Sequence, residues 1–473
     1  MSSAIDAAGG GRPGPVPPPA SAFPRAARAA SALGLALGVI WALSPLAVAL
    51  AAAIVWMCAA SVSRLQGRER VHLVRILALA IGLRFIAVGL LLVGTRPDRE
   101  PFLALFPDAQ YLLDRSLWIR NLWLGVEIGP HQWLGIVDPY AASSYPYLLA
   151  ALQTIAGPSP YALCLLSVAF FTAGALLMHR MVRGAFGGPT ATLALAATMC
   201  WPTLFAWSIS VLREAFQFFL GALVAAGLYY AGRHVRRGWA GRALASTAAV
   251  AGALWMLSGL REGTLEIGLL AIALALAFRV VAARPSVAAA LIALSLFGAV
   301  RFEKRIVPVV RLAADRHLGH VMSAGRSYQL LDRRFYAAGP ASLGTMTTAE
   351  GLGFLARSAA AFVVMPLPWR AASVSEFTLV PQQIVWYLAL AAALAGLAAG
   401  LRRDPWLTSV LAAYPIAGLL IIAPNSGNIG TLVRHRDMIV PFVLSLAAAG
   451  AAGSLHRVRT GPAPGATPAV VQP

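Results

Sequence analysis

The chain has 473 residues, 59% of them hydrophobic and 12% charged, with a formal net charge of +20. Soluble domains average about 25% charged residues, so an ordinary globular fold is excluded. Apolar runs of about 18 residues or more recur, the mark of membrane-crossing helices, and their continuity rather than alternation excludes a β-barrel. The sequence therefore predicts an all-α, polytopic membrane protein with about ten to twelve transmembrane helices and two large extracytoplasmic loops carrying short interfacial helices. In such a protein the positive charge reports cytoplasmic loop bias and contact with anionic membrane lipids, not nucleic acid. Lys304 is the single lysine, so 37 of the 38 basic residues are arginine. Cys58, Cys164 and Cys200 stand singly in apolar runs and form neither a metal nor a disulfide pattern.

Residues 1–27, rich in Pro, Gly, Ala and Ser, read as a disordered cytoplasmic arm with no cleavable signal before the first apolar run. The run 31–61 contains Ser44-Pro45 near its middle and is either one long kinked helix or a hairpin of two short ones. Arg25 and Arg28 before it, and Arg64, Arg68 and Arg70 after it, all belong in the cytoplasm, which favours the hairpin. Further runs lie at about 73–94, 160–181, 188–208, 211–231, 243–258, 264–282, 286–302, 382–400, 406–423 and 437–455. Arg180/Arg183, the cluster Arg233-His234-Val235-Arg236-Arg237, Arg284 and Arg402-Arg403 each close a pair of runs. Placing all of them inside gives a consistent alternation, with the tail 456–473 also inside. An N-terminal membrane module then covers 28–302 and C-terminal helices cover 382–455. Two long segments, 95–159 and 303–381, fall outside. Within them 144–156 and 350–365 are too short to span and are expected at the outer face.

This topology sorts the polar residues by side. Asp108, Asp114, Glu127, Asp138, Arg213, Glu214, Arg261, Glu262, Glu266, Arg434, His435, Arg436 and Asp437 fall at or near the outer face. The second loop adds Lys304, Arg305, Arg311, Arg316, Arg326, Arg333 and Arg334. Ionisable residues near a bilayer are costly and mark function by default. Basic residues outside run against the usual bias, and a bound phosphate or pyrophosphate would compensate them, since the planar arginine fork binds phosphate oxygens bidentately. The alternative is a solvated surface with local pairs such as Asp332 and Arg333. Arg213-Glu214 and Arg261-Glu262 are either ion pairs that pin helices or the polar wall of a substrate cavity. Asp108 either caps a helix or, at the membrane boundary, takes a proton from an acceptor hydroxyl. His317 and His320 are spaced for a metal but lack a further ligand. No phosphate-binding Gly-rich loop, dinucleotide fingerprint or nucleophile elbow is present. Trp118, Trp123, Trp133, Tyr140, Tyr145 and Tyr147 crowd the first outer loop as an interfacial belt or as stacking surfaces for sugar rings.

Several stretches, in their order, resemble the integral-membrane C-type glycosyltransferases, relatives of the dolichyl-phosphate-mannose protein mannosyltransferases and the bacterial aminoarabinose transferase. Pro107-Asp108-Ala109-Gln110-Tyr111 is similar to the acidic element of their first outer loop, with Ala109 where a second acid often stands. Ser144-Tyr145-Pro146-Tyr147 through Gly157, then His179-Arg180 and Phe186-Gly187, is similar to their next segment, its double proline reduced to Pro146. Leu212-Arg213-Glu214-Ala215 resembles an acidic helix start, and Arg434-His435-Arg436-Asp437 through Pro441 resembles the stretch before their last helix. The likeness covers residues 73–455.

The resemblance implies an inverting transfer of a sugar from a polyprenyl-phosphate donor to a glycan, lipid or protein acceptor at the extracytoplasmic face of a bacterial inner (plasma) membrane. Asp108 would be the general base. Tyr111, Asp114, Arg213, Glu214, Arg261, Glu262, Arg326, Arg333, Arg334, Arg434 and Arg436 would line the substrates, the arginines neutralising the departing lipid phosphate. No cofactor is required. Some members use a divalent metal, which stays open here. Two other readings fit the same composition. One is a polymerase or ligase acting on polyprenyl-linked glycans. The other is a lipid or glycan transporter, which would call for a polar path across the bilayer and inverted repeats.

Overall fold

The computed structural model describes residues 23–95, 102, 106–138, 143–284, 286, 287, 290, 293, 294, 297, 301, 303–323, 331, 346–371 and 373–459. Among the described residues eighteen α-helices make up the fold. In chain order they are α1 Phe23–Leu43, α2 Pro45–Val62, α3 Gly67–Gly94, α4 Pro107–Trp123, α5 Pro130–Val137, α6 Tyr145–Ala156, α7 Pro160–Phe186, α8 Gly188–Cys200, α9 Pro202–Ser208, α10 Glu214–Arg236, α11 Ala240–Leu260, α12 Thr264–Ala283, α13 Glu303–Ser323, α14 Thr348–Val364, α15 Val374–Arg403, α16 Pro405–Ile422, α17 Ile429–Arg436 and α18 Val440–Arg459. Six of them, α2, α4, α5, α7, α9 and α16, open on proline, whose fixed φ suits the first helical turn where no N–H is needed.

Among the described residues eight helices are long and apolar enough to cross a bilayer: α2, α3, α7, α10, α11, α12, α15 and the stretch Pro405–Asn425 that begins with α16. A ninth appears if α17 and α18, bent by 61°, count as one span. The apolar runs account for these spans, with three departures from the expected ten to twelve. The 31–61 run does break at Ser44-Pro45, but α2 alone is 18 residues and long enough to cross. The 188–208 run is not one helix; it is a 13-residue α8 and a 7-residue α9 broken at Trp201-Pro202. Most of the 286–302 run lies outside the described residues.

Ends of successive spans alternate. Glu69 at the start of α3 meets Arg183 at the end of α7, with Nε 2.5 Å from the carboxylate. Gly187, at φ +89, makes the turn from α7 to α8 beside the Arg403 guanidinium at the end of α15. Tyr229, near the end of α10, donates from its hydroxyl to Asp404 at 3.3 Å. The arginine-rich short loops thus gather at one end of the bundle. The starts of α4, α7, α10, α12 and α18 lie at the other.

The core is built largely of branched aliphatic, alanine and aromatic side chains. Small residues let helix backbones approach closely, which is how helices associate where lipid removes the hydrophobic drive. The parallel pair α15 and α18 is the tightest case. A Cβ on Gly396 would overlap the Leu446 carbonyl, and one on Gly450 would overlap the carbonyl of Ala392.

The break between α8 and α9 has a specific closure. Pro202 has no N–H, and the chain turns so that Thr203 N–H no longer meets the Met199 carbonyl four residues back. Arg84, fully buried in the middle of α3, donates from Nη2 to that carbonyl at 3.0 Å and from Nε to Ser208 Oγ at 2.8 Å. Thr203 N–H donates to Gln382 Oε1 at 3.0 Å, and Gln382 Nε2 returns to Thr203 Oγ1 at 2.9 Å. Both halves of the severed backbone bond are therefore paired, as a non-aqueous surrounding demands. The Arg84 guanidinium also lies over the rings of Phe171 and Phe205, at 4.7 and 4.9 Å from their centroids.

Candidate functional site

At the end of the bundle opposite the arginine-rich loops, residues distant in sequence converge. Arg434, in the last turn of α17, is the centre. Its Nε donates to Glu214 Oε1 at 2.6 Å, and its Nη1 donates to Asp108 Oδ2. Glu214 is the first residue of α10 and its side chain is only 6% exposed, whereas Asp108, in the first turn of α4, is 64% exposed. The arginine thus links a buried carboxylate to one that faces out. Each acid sits at a helix N-terminus, where the helix dipole favours negative charge. The second oxygen of Glu214, Oε2, is buried with no hydrogen-bond partner among the described residues.

Trp207 ties the site to the bend that follows α17. The Arg434 guanidinium lies 5.8 Å from the Trp207 ring centroid, and Trp207 Nε1 donates to Asp437 Oδ2 at 2.7 Å. His435, the next residue, faces the Arg261 guanidinium with Nε2 and Ser426 Oγ with Nδ1 at 3.0 Å. An arginine only donates, so Nε2 accepts and the Nδ1 proton goes to Ser426, whose own hydroxyl donates to the Ile422 carbonyl at 3.0 Å. Arg213 and Arg261 both act electrostatically on Glu214. Two carboxylates, Asp108 and Glu214, are thus met by three arginines, Arg434, Arg213 and Arg261.

The residues expected from the sequence divide into groups. Asp108, Glu214 and Arg434 are in direct contact, and Arg213 and Arg261 flank them. Arg213 and Glu214, neighbours in sequence, reach different groups: Arg213 Nη1 donates to the Leu260 carbonyl at 3.4 Å, while Glu214 accepts from Arg434. Arg261 and Glu262 part in the same way, Glu262 pairing with Arg316 of α13 at 2.7 Å. Tyr111 and Asp114 serve the first long loop. The Tyr111 hydroxyl donates to Asp138 at 3.0 Å, and burial followed by this carboxylate pushes the phenol above its ordinary range. Asp114 accepts from Gln110 Nε2 at 2.8 Å.

Arg436 turns away from Arg434 and is buried. It donates to the Met365 carbonyl at 2.8 Å and to Gln383 Oε1 at 2.7 Å, with its guanidinium over the Trp386 ring at 4.8 Å. It anchors the chain between α14 and α15 to the bend. Arg326, Arg333 and Arg334 lie outside the described residues. His317 packs edge-on against Phe354 at 5.2 Å. Among the described residues no group of three His, Cys, Asp or Glu side chains is placed to hold a metal. Sequence reasoning did not single out Trp207, Ser426, Arg84 or Gln382. For Arg84 a signal existed, a lone charge inside an apolar run.

The chain is an all-helical integral membrane protein with multiple spans. No protein-family model, no curated protein and no solved structure matches it.

Proposed function

We propose that the protein is a membrane glycosyltransferase. It would transfer a sugar from a polyprenyl-phosphate donor to a glycan, lipid or protein acceptor at the extracytoplasmic face of a bacterial plasma membrane. The observation that carries this reading is the joining of Asp108, Arg434 and Glu214, from three distant segments, at the end of the bundle away from the arginine-rich short loops. The resemblance of these same segments to the C-type glycosyltransferases points the same way.

The chemistry follows from the charges. Arg434 is anchored through Nε by buried Glu214, so its Nη groups can be shared between Asp108 and an incoming anion. A donor phosphate would compete with Asp108 for Nη1 and free the exposed carboxylate. Asp108 would then take the proton of the acceptor hydroxyl as its oxygen attacks the anomeric carbon. The bond from that carbon to the phosphate oxygen breaks with inversion, and the electron pair leaves on the lipid phosphate, facing Arg434 with Arg213 and Arg261 behind it. A transport reading draws less support, because the broken helix at Trp201-Pro202 has its loose ends closed by Arg84 and Gln382 instead of opening into a path.

The test is a gene deletion complemented with wild type or Asp108→Asn, followed by analysis of envelope glycans and polyprenyl-linked sugars. A single sugar missing from one glycan, and not restored by Asp108→Asn at normal protein level, supports the transferase. Collapse of chain length with an intact repeat unit supports the polymerase or ligase. Full restoration by Asp108→Asn removes the base and with it the proposal.

A further inference from the structure

At the opposite end of the molecule lies a second feature that the proposed reaction does not use. The turn between α10 and α11 carries Arg236, Arg237 and Trp239, and α11 continues with Arg242, all exposed. Gly238, at φ +69, makes the turn and brings Trp239 back onto His234, ring centroids 5.6 Å apart, with His234 stacked in turn on Tyr230 at 6.2 Å. Against the Trp239 ring lie two guanidinium groups, that of Arg237 at 5.2 Å and that of Arg242 at 4.6 Å. Among the described residues no carboxylate forms a salt bridge with either arginine. Trp239, Ala240, Gly241 and Arg242 line a shallow surface depression open to its surroundings.

Two planar cations, in salt bridge with no carboxylate among the described residues and held on an aromatic platform, present a receptor for an anionic group with several oxygens. The surroundings say which one. Helix α11 is a candidate span with only 22% of its apolar window buried, so most of its surface meets lipid. Leu244 and Trp255 are 72% and 75% exposed. They stand three helical turns apart on one face, separated by about 16 Å, which matches one leaflet of a hydrocarbon core about 30 Å thick. Between them the exposed positions are small, Ala248, Ala251 and Gly252, and leave a shallow track along the helix. The cation pair sits at the foot of this track.

We infer that Arg237, Arg242 and Trp239 bind the phosphate headgroup of an anionic phospholipid, whose acyl chain lies along α11 between Leu244 and Trp255. The site holds a lipid of the leaflet facing the arginine-rich loops, where anionic headgroups and basic side chains attract one another. It is separate from the Asp108–Arg434–Glu214 cluster and does not depend on the reaction assigned there.

Native mass spectrometry of the delipidated full chain in detergent, titrated with dioleoyl phosphatidylglycerol or dioleoyl phosphatidylcholine, tests this. Phosphatidylglycerol should bind saturably and more tightly than phosphatidylcholine. Arg237→Ala/Arg242→Ala should weaken it on the order of tenfold, while Arg402→Ala/Arg403→Ala, which removes the same charge from another loop at the same end, should not. Equal weakening by both pairs would mean diffuse attraction and overturn the site. Displacement of the lipid by millimolar inorganic phosphate would mean a headgroup ion site only and overturn the lipid assignment. If the double variant is not monodisperse, Leu244→Gln reads the acyl track: severalfold weaker phosphatidylglycerol binding supports it, and unchanged binding overturns it.

Discussion

Arg84 Nη2 occupies the Met199 carbonyl, 3.0 Å away, at the point where Pro202 interrupts the helix. A charged side chain deep in a span is thereby made a replacement for a backbone donor. Arg84→Met keeps much of the volume but strands the Met199 carbonyl, while the Ser208 hydroxyl keeps its bond to the Phe205 carbonyl. Each buried group left unsatisfied costs about 1–3 kcal/mol. The expected result is a clear fall in the thermal unfolding midpoint of the purified protein in detergent, measured by scanning fluorimetry. Gln382→Leu, which strands Thr203 N–H, should fall less, since no charge is involved, and the double variant should fall by less than the sum because the two residues serve one break.

The asymmetry of Arg434's two partners separates stability from activity. Glu214 is buried and Asp108 is exposed, so the same guanidinium makes one strong and one screened contact. Glu214→Gln leaves Arg434 without its buried counter-charge and should lower the unfolding midpoint. Asp108→Asn should leave the midpoint within experimental scatter while removing complementing activity. An activity loss for Asp108→Asn that merely tracks a loss of folded protein would argue that Asp108 is structural.

Much of the architecture is legible in the sequence for physical reasons. Apolar run length marks most of the spans, prolines mark helix starts, and arginine-rich turns sort the two ends. What is not legible is what happens at polar atoms inside the bilayer. The 188–208 run has the composition of one crossing, and only the backbone bond lost at Pro202, with its rescue by residues 84 and 382, shows why it is two helices. The site behaved similarly. Position near one face brought Asp108, Glu214 and Arg434 onto one shortlist, but adjacency in sequence suggested Arg213 as the partner of Glu214, and the helix start directs that carboxylate to Arg434 instead. Arg436, two residues on, points to the Met365 carbonyl because successive helical residues face about 100° apart.

The contact between α15 and α18 should tolerate no side chain. Gly396 and Gly450 face the backbone of the partner helix, at the carbonyls of Leu446 and Ala392, so there is no flexible atom to move aside. Gly396→Ala and Gly450→Ala are each expected to destabilise by about 1–3 kcal/mol through overpacking. Gly241→Ala, where an added Cβ meets nothing within 4 Å, is the matched control and should be close to neutral in the same unfolding assay.

Helix α10 supplies a direct test of orientation. Its first residue, Glu214, shares Arg434 with Asp108, and its last, Arg236, belongs to the arginine-rich end. Twenty-three helical residues rise about 34 Å, enough to cross a hydrocarbon core of about 30 Å. Asp108 and residue 236 must therefore lie on opposite sides. In a background with Cys58, Cys164 and Cys200 replaced, a cysteine at 108 should react with an impermeant maleimide added to intact cells. A cysteine at 236 should react only after permeabilisation, because the arginines of its loop hold it in the cytoplasm. The reverse pattern would place the Asp108 carboxylate inside and end its candidacy as base for an extracytoplasmic acceptor, while leaving the packing of the bundle as described.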